Sequence, residues 1–329
     1  MSRSLVAVFA GFLATSSFAQ TPSAPAPAPY PLKRLPFLTW LVDYEPFWSP
    51  DGKQIVLISN RHGGMKVHVL AVATAATDHG AGMRQLSFGE AEDDSPAWSP
   101  DGRRIAYVSV RDGFSRIWVM NADGGDPHPV TPPRTESIHP TWSADSSRVL
   151  VNTNAFAARK EDPGQGAAGP PRAIGDATDD IMDLATVRPD GTDFRRLTTA
   201  GGFTYASYSP DGRSIVHRRI QGTVSQIWVM NADGTGGHSV SGAATADGWP
   251  AWSPDGKRIV FARQIGESFQ IFVMNRDGSD VLQLTDAAGR FTNPRWSPDG
   301  STILCSRGLG SMSLVTFPAP PPTGHPNPS

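Results

Sequence analysis

Six residues of different chemistry occupy one repeated position of this sequence. Each stands three residues before an aromatic residue that opens a recurring turn phrase, and together they are Glu45, Ser95, His139, Tyr205, Trp249 and Asn293. Such side chains could supply an acid, a base, stacking surfaces and amide hydrogen bonds around one opening. The flanking residues repeat closely while this position always differs, which is what a binding rim would show. A ring of solvated loops without a ligand is the alternative interpretation.

A second repeated position is basic. Arginines fall eleven or thirteen residues after the same aromatic anchors, at Arg61, Arg111, Arg219, Arg263 and Arg307. Guanidinium groups that converge on one opening would suit a partner or sugar that carries carboxylates. The alternative is that each arginine stabilises its own hairpin or pairs with an acid such as Asp93 of a neighbouring repeat, a weak and common surface interaction.

A metal-dependent enzyme would need histidines that converge on one metal ion. His62 and His139 are the ones that the repeat template places near the same opening, with Glu45 between them. A metal site needs three or four converging ligands, so we predict neither a metal nor another cofactor. Three further groups occupy strand positions with apolar or aromatic equivalents and are predicted to be structural core residues: His68, His217 and Cys305.

The elements that must position these residues follow from the turn phrase Trp-Ser-Pro-Asp-Gly. It or a close variant begins at Trp48, Trp98, Trp142, Tyr208, Trp252 and Trp296, with spacings of 50, 44, 66, 44 and 44 residues. Each repeat continues with an alternating apolar strand, a loop, a strand such as Ile117-Trp118-Val119-Met120, an Asp-Gly turn and a short last strand. Four short antiparallel strands per repeat predict one propeller blade.

The sequence therefore predicts an all-β fold, a six-bladed β-propeller over residues 32–317. The last repeat ends after its third strand, and the segment Lys33–Phe37 resembles the outer strand that precedes each later anchor. We expect this N-terminal strand to complete the last blade, because closure by both termini leaves no free sheet edge. The third repeat is longer owing to a Gly/Pro/Ala-rich insertion at about 155–180, which predicts a surface loop.

The composition and the two ends of the chain indicate which partners and which cellular compartment to expect. The formal net charge is −2 over 329 residues, which gives no electrostatic reason to expect nucleic-acid binding. Residues 1–19 have the charge, apolar run and small-residue site of a secretory signal cut after Ala19, so we predict a periplasmic or secreted protein without membrane insertion. Residues 20–31 and 318–329 predict a Pro/Ala-rich linker and a Pro-rich tail, and we expect a monomer.

The repeat of Pro-x-Trp-Ser-Pro-Asp-Gly followed by Ile-[Trp/Phe]-Val-Met-Asn-x-Asp-Gly resembles the C-terminal propeller of the TolB family over about residues 32–317. This resemblance implies a periplasmic binding role in which Pal, a peptidoglycan-associated lipoprotein, docks on the propeller. TolB proteins carry an α/β domain before the propeller, and only a dozen linker residues precede blade closure here. The resemblance therefore implies a stand-alone propeller and does not carry over the TolA-facing role of that domain.

Two other families share such propellers. Prolyl-oligopeptidase-type enzymes add a hydrolase domain with a Gly-x-Ser-x-Gly elbow, and this sequence has no such motif. Oligogalacturonate-lyase-type propellers are metal-dependent enzymes, which implies an alternative function as a lyase or hydrolase of an acidic oligosaccharide, requiring His62 and His139 to meet at one ion. We predict a non-enzymatic binding scaffold that mediates protein–protein interaction in the cell envelope, and the resemblance implies a Pal-like envelope protein as its partner.

Overall fold

The structure is a computed structural model that describes residues 32–34, 43–75, 82–156, 182–242, 246–286, 289–308 and 311–316. The predicted signal, linker and tail, and most of the 155–180 insertion, lie outside these residues. No helix among the described residues is long and apolar enough to cross a membrane.

Within these residues, the strands form six four-stranded antiparallel sheets, one for each repeat. The predicted all-β propeller with four antiparallel strands per blade is confirmed. In chain order the elements are β1 (Leu32–Arg34), β2 (Asp43–Trp48), β3 (Gln54–Ser59), β4 (Lys66–Ala71), α1 (Val72–Ala75), β5 (Arg84–Gln85), β6 (Glu92–Trp98), β7 (Arg104–Arg111), β8 (Phe114–Asn121), β9 (His128–Pro129), β10 (Ser137–Trp142), β11 (Val149–Thr153), β12 (Asp183–Val187), β13 (Arg195–Arg196), β14 (Phe203–Tyr208), β15 (Ser214–Gln221), β16 (Val224–Asn231), β17 (His238–Ser239), β18 (Asp247–Trp252), β19 (Arg258–Ile265), β20 (Ser268–Asn275), β21 (Leu282–Gln283), β22 (Phe291–Trp296), β23 (Thr302–Arg307) and β24 (Ser311–Thr316).

The first strands of the blades form the inner ring. Strands β2, β6, β10, β14, β18 and β22 contact one another in this order, and β22 contacts β2. Blades 1 to 5 are β2–β5, β6–β9, β10–β13, β14–β17 and β18–β21, and blade 6 is β22–β24 with β1. Strand β1 pairs antiparallel with β24, Leu32 opposite Val315, so the expected closure by both termini is present. A closed ring protects its sheet edges from pairing with other chains.

The second strand of each blade is buried on both faces because a blade lies on either side of it. The predicted apolar pairs, such as Ile105 and Tyr107, are at most 1% exposed, and so are the intervening Ala106 and Val108. The predicted core positions of His68, His217 and Cys305 are confirmed, since each is at most 1% exposed. Burial lowers the pKa of His217 to about 4 and raises that of the Cys305 thiol to about 12.

The recurring turn has its own hydrogen-bond network. In blade 2 the Ser99 hydroxyl donates to Asp101 Oδ1 at 2.6 Å, while the Arg104 amide donates to Ser99 Oγ at 2.9 Å. The same Ser–Asp bond of 2.5–2.6 Å recurs in the other five turns. The phrase therefore recurs because serine, aspartate and glycine together close this turn.

The Asp-Gly turn after the third strand packs against the preceding blade. Gly278 has φ +88°, and a Cβ atom there would lie 2.1 Å from the carbonyl oxygen of Val240. Asp277 accepts the amide hydrogen bond of Ser279 at 3.0 Å, so its carboxylate shapes the turn. Glycine is required here both by the left-handed backbone and by the close contact between blades.

Candidate functional site

A β-bulge in the inner strand of every blade positions the six rim residues. The pairing register between the first and second strands shifts at this point in all six blades, as between Tyr44 and Phe47 in blade 1. In five blades the next residue is proline, which cannot donate a ladder hydrogen bond and so favours a bulge. All six rim residues have positive φ: Glu45 51°, Ser95 48°, His139 49°, Tyr205 51°, Trp249 52° and Asn293 54°.

This backbone conformation is unfavourable for most of these residues. Non-glycine residues in the left-handed region cost about 1–3 kcal/mol each, and such strain clusters at functional sites. Because glycine would remove the strain, the presence of large side chains such as Tyr205 and Trp249 at these positions indicates that the side chains themselves matter.

Five of the six rim residues line one funnel in the centre of the ring. These are Glu45, Ser95, His139, Tyr205 and Asn293. The enclosed volume is about 30 Å³, which is room for about two ordered water molecules. Trp249 is 9% exposed and stacks on Tyr205 beside the funnel, with ring centroids 5.3 Å apart. The structure thus brings the predicted rim together.

One half of the rim, from blades 3 to 5, is aromatic and cationic. The ring of His139 lies 3.9 Å from that of Tyr205, and Trp249 contacts Phe269 edge-on at 5.2 Å. Two guanidinium groups lie beside these aromatic rings. Arg218 lies 5.3 Å from the Tyr205 ring, and Arg290 lies 5.1 Å from the Phe269 ring. Aromatic rings flanked by arginines make a preorganised contact surface.

The other half of the rim, from blades 6, 1 and 2, is polar and acidic. Asn293 Nδ2 donates to Glu45 Oε1 at 3.0 Å, and the Glu45 amide donates to Ser306 Oγ at 3.2 Å. Asp94, which precedes Ser95, is 7% exposed. Burial raises its pKa well above the usual value, and the charge and hydrogen bond of Glu45 raise it further. Asp94 therefore lies buried behind this half of the rim, where ionisation beside Glu45 is disfavoured.

The raised pKa of Asp94 predicts a pH-dependent stability. Because the pKa of Asp94 is higher in the folded state than its ordinary value of 3.8, its contribution is fully present below pH 3.8 and is lost as pH rises through the folded-state pKa. We expect Asp94→Asn, which keeps an acceptor for the Ser95 amide, to raise the urea midpoint at neutral pH but not at pH 4. The exposed Asp126→Asn is the control, and equal midpoint changes for Asp94→Asn at both pH values would contradict this prediction.

The floor of the funnel contains a charged residue that the sequence reasoning missed. Arg295 lines the funnel together with Phe47, Thr141 and Ser207. Its guanidinium lies 5.5 Å from the ring of Phe47, and burial lowers its pKa while the charge of Glu45 acts in the opposite direction. A signal was present in the sequence: the position before each anchor holds Phe47, Ala97, Thr141, Ser207, Ala251 and Arg295, of which Arg295 alone is charged.

The five predicted ring arginines lie elsewhere. All five are described, and none of them lines the funnel. Arg61 Nη2 donates to Asp43 at 2.9 Å, Arg263 makes a bidentate pair with Asp247, and Arg111 covers the ring of Trp118 at 3.8 Å. The other two lie over aromatic rings of their own blades: Arg219 over Phe203 at 3.9 Å and Arg307 over Phe291 at 5.4 Å. Each arginine therefore stabilises its own blade, as in the alternative interpretation.

The two histidines of the metal hypothesis do not meet. His62 is exposed, and its Nδ1 lies 3.0 Å from Nε2 of the buried His68 on β4. His139 lies in the funnel against Tyr205. The ligand set required by the lyase hypothesis is therefore not assembled. Among the described residues, no group of three or more His, Cys, Asp or Glu side chains is placed to hold a metal ion.

Comparison with known proteins agrees with this architecture. Residues 41–162 match the family described as the TolB beta propeller domain. No curated protein matches the chain by sequence. A putative TolB from Agrobacterium tumefaciens has a similar structure, with a TM-score of 0.64, 23% identity and coverage of 88% of this chain and 97% of that one.

Two enzymes share the fold at lower identity. An oligogalacturonate lyase in complex with manganese has a TM-score of 0.60 and 15% identity, over 89% of this chain and 94% of that one. A gluconolactonase from Xanthomonas campestris has a TM-score of 0.61 and 16% identity, over 88% and 90%. Such identities show the fold alone, because one propeller fold hosts many functions. Residues 41–162 thus resemble the TolB beta propeller domain, and the solved structures agree with the β-propeller fold of the chain.

Proposed function

We propose that this chain is a periplasmic binding scaffold of the cell envelope, in which a partner protein docks over the mouth of the central funnel. The observation that supports the proposal is the rim itself. Six different side chains occupy one strained backbone position of an otherwise repeated framework, and five of them line the same funnel. A partner would meet aromatic rings with arginines on one side, which are groups enriched at the hot spots of protein interfaces, and the Glu45 carboxylate on the other.

The TolB-type repeat suggests the kind of partner and the compartment. A Pal-like peptidoglycan-associated lipoprotein is the proposed partner, and the periplasm, reached by cleavage after Ala19, is the proposed location. A catalytic function at the same mouth has less support from the geometry. His62 contacts His68 and His139 contacts Tyr205, so the two histidines that a metal-dependent lyase would need do not meet.

Glycine substitutions at the rim test this proposal with little risk to the fold. The triple variant Glu45→Gly, His139→Gly, Asn293→Gly removes three rim side chains at positions whose φ of 49–54° suits glycine. We expect it to fold and to lose at least tenfold in affinity for the purified soluble domain of the Pal-like lipoprotein. Isothermal calorimetry and thermal unfolding measure the two properties.

The matched control is Asp126→Gly, an exposed residue with φ 52° in the β8–β9 turn at the opposite end of blade 2. It should bind like the wild type. A folded triple variant with wild-type affinity would exclude the rim as the docking site. A wild-type protein that captures no envelope lipoprotein from a membrane extract, and does not bind the purified domain, would count against the scaffold function itself.

A further inference from the structure

Arg295 is a cation at the base of the funnel, where the negative charge of Glu45 acts on it. Its Nη1 donates a hydrogen bond to the carbonyl oxygen of Pro294 at 3.3 Å. Among the described residues, the salt bridges within 4.0 Å do not include Arg295. A guanidinium removed from bulk water without a carboxylate destabilises the fold, because its desolvation is not offset.

The equivalent positions of the other blades show that the fold does not need an arginine there. They hold Phe47, Ala97, Thr141, Ser207 and Ala251, all of them uncharged. A charge at one of six equivalent positions, which lines a cavity and forms no salt bridge with any described residue, is best explained by a carboxylate that comes from outside.

We infer that the docking partner inserts an acidic side chain into the funnel, where its carboxylate pairs with the guanidinium of Arg295. This inference rests on the proposed function and adds the chemistry of the contact. Arginine and carboxylate groups form two parallel N–H···O hydrogen bonds, which would fix the partner's register as well as hold it.

The funnel has room for the tip of a side chain. Its volume of about 30 Å³ corresponds to about two water molecules, and the carboxylate of an aspartate or glutamate is of similar size.

The charges around the funnel also favour an anion over Arg295. Arg218 lies 5.3 Å from the Tyr205 ring, and Arg290 lies beside Trp249 at 5.9 Å, so the aromatic half adds positive charge. Glu45 is the opposing charge, and its Oε1 is already bonded to Asn293 at 3.0 Å. Burial and the charge of Glu45 raise the pKa of Asp94, which disfavours a second negative charge beside Glu45.

Matched small probes test this contact. N-acetyl-glutamate amide, N-acetyl-glutamine amide and N-acetyl-lysine amide would be titrated into the mature protein, with the side-chain Nε–H resonances of arginine followed by NMR. We expect the glutamate probe alone to shift the Arg295 resonance. Arg295→Ala, a residue type that two other blades use here, should abolish the response of neighbouring resonances, whereas the exposed Arg103→Ala should not.

A stronger response to the lysine probe, an equal response to glutamine, or a glutamate response retained in Arg295→Ala would overturn the inference. The same variant then separates the two proposals. If Arg295→Ala binds the Pal-like domain with wild-type affinity while the rim triple variant does not, the mouth is the docking site and the acidic anchor is wrong. A loss of at least tenfold for Arg295→Ala, with Arg103→Ala unchanged, is the result that we expect.

Discussion

Replacement of Trp142 by alanine is expected to lower the free energy of unfolding by about 3–5 kcal/mol. The side chain is 6% exposed and packs in the apolar cluster between blades 2 and 3 with residues such as Val108 and Ile117. Its Nε1–H also donates to the carbonyl oxygen of Ala97 on the neighbouring blade at 3.0 Å. Removal of the indole therefore leaves a cavity and an unpaired buried carbonyl group. Urea unfolding followed by circular dichroism measures the loss.

The control for this prediction is Trp142→Phe, which keeps most of the aromatic area and loses only the hydrogen bond. It should cost about 1–3 kcal/mol, the penalty for one buried polar group left unsatisfied. Blade 4 carries Tyr208 at the equivalent position, so a smaller ring is compatible with this fold. A loss for the alanine variant no larger than that for phenylalanine would show that the anchor is not a packing residue.

Arg263→Met is the second substitution with a large expected effect. The Arg263 guanidinium donates to both carboxylate oxygens of Asp247, at 2.8 and 2.9 Å. The Asp247 side chain is 0% exposed and that of Arg263 is 18% exposed. Removing the cation leaves a buried, uncompensated carboxylate, and breaking such a pair costs about 3–5 kcal/mol. The midpoint of urea unfolding at pH 7 should fall accordingly.

The double variant Arg263→Met, Asp247→Asn tests the reason for this loss. It replaces the unpaired carboxylate by a neutral amide, so we expect it to be more stable than Arg263→Met alone by at least about 1 kcal/mol, because an unpaired charge costs more to bury than an amide. A double variant as unstable as the single one would mean that packing of the arginine stem, and not charge, accounts for the effect.

Much of the architecture could be predicted because each blade is locally specified. Ser99, Asp101 and Gly102 close their turn through bonds within a few residues, and Ile105 alternates with Tyr107 along one short strand. Such patterns depend on neighbours in the chain, so six copies of them predict the sheet type and the strand order. The closing strand could also be predicted, because the last repeat lacks its fourth strand, and β1 supplies it.

The candidate site could be predicted only in part. The position of the rim followed from variation at one place in the repeat, but neither Asp94 nor Arg295 was singled out. Both act through contacts between blades: Asp94 of blade 2 with Glu45 of blade 1, and Arg295 of blade 6 with Phe47 of blade 1. Contacts across the ring join distant residues, such as Glu45 and Ser306, which are 261 positions apart. The repeat shows that Arg295 is the one charged residue at its position, but it does not show which residues of other blades it meets. The five arginines recur at a regular spacing in the sequence, but each contacts partners within its own blade and not the funnel.

The sequence by itself determined the blade, its turns, its core strands and the place where variable side chains would gather, because these depend on short-range hydrogen bonding and on the two-residue period of a strand. Only the tertiary structure decided which of those side chains meet. Closure of the ring brings six inner strands around one axis, and the left-handed bulge at Glu45 and its five equivalents carries the rim residues to a shared mouth. Closure also places Arg295 at the base of the funnel, where no described residue forms a salt bridge with it, and this is a property of the assembled ring and not of any one repeat.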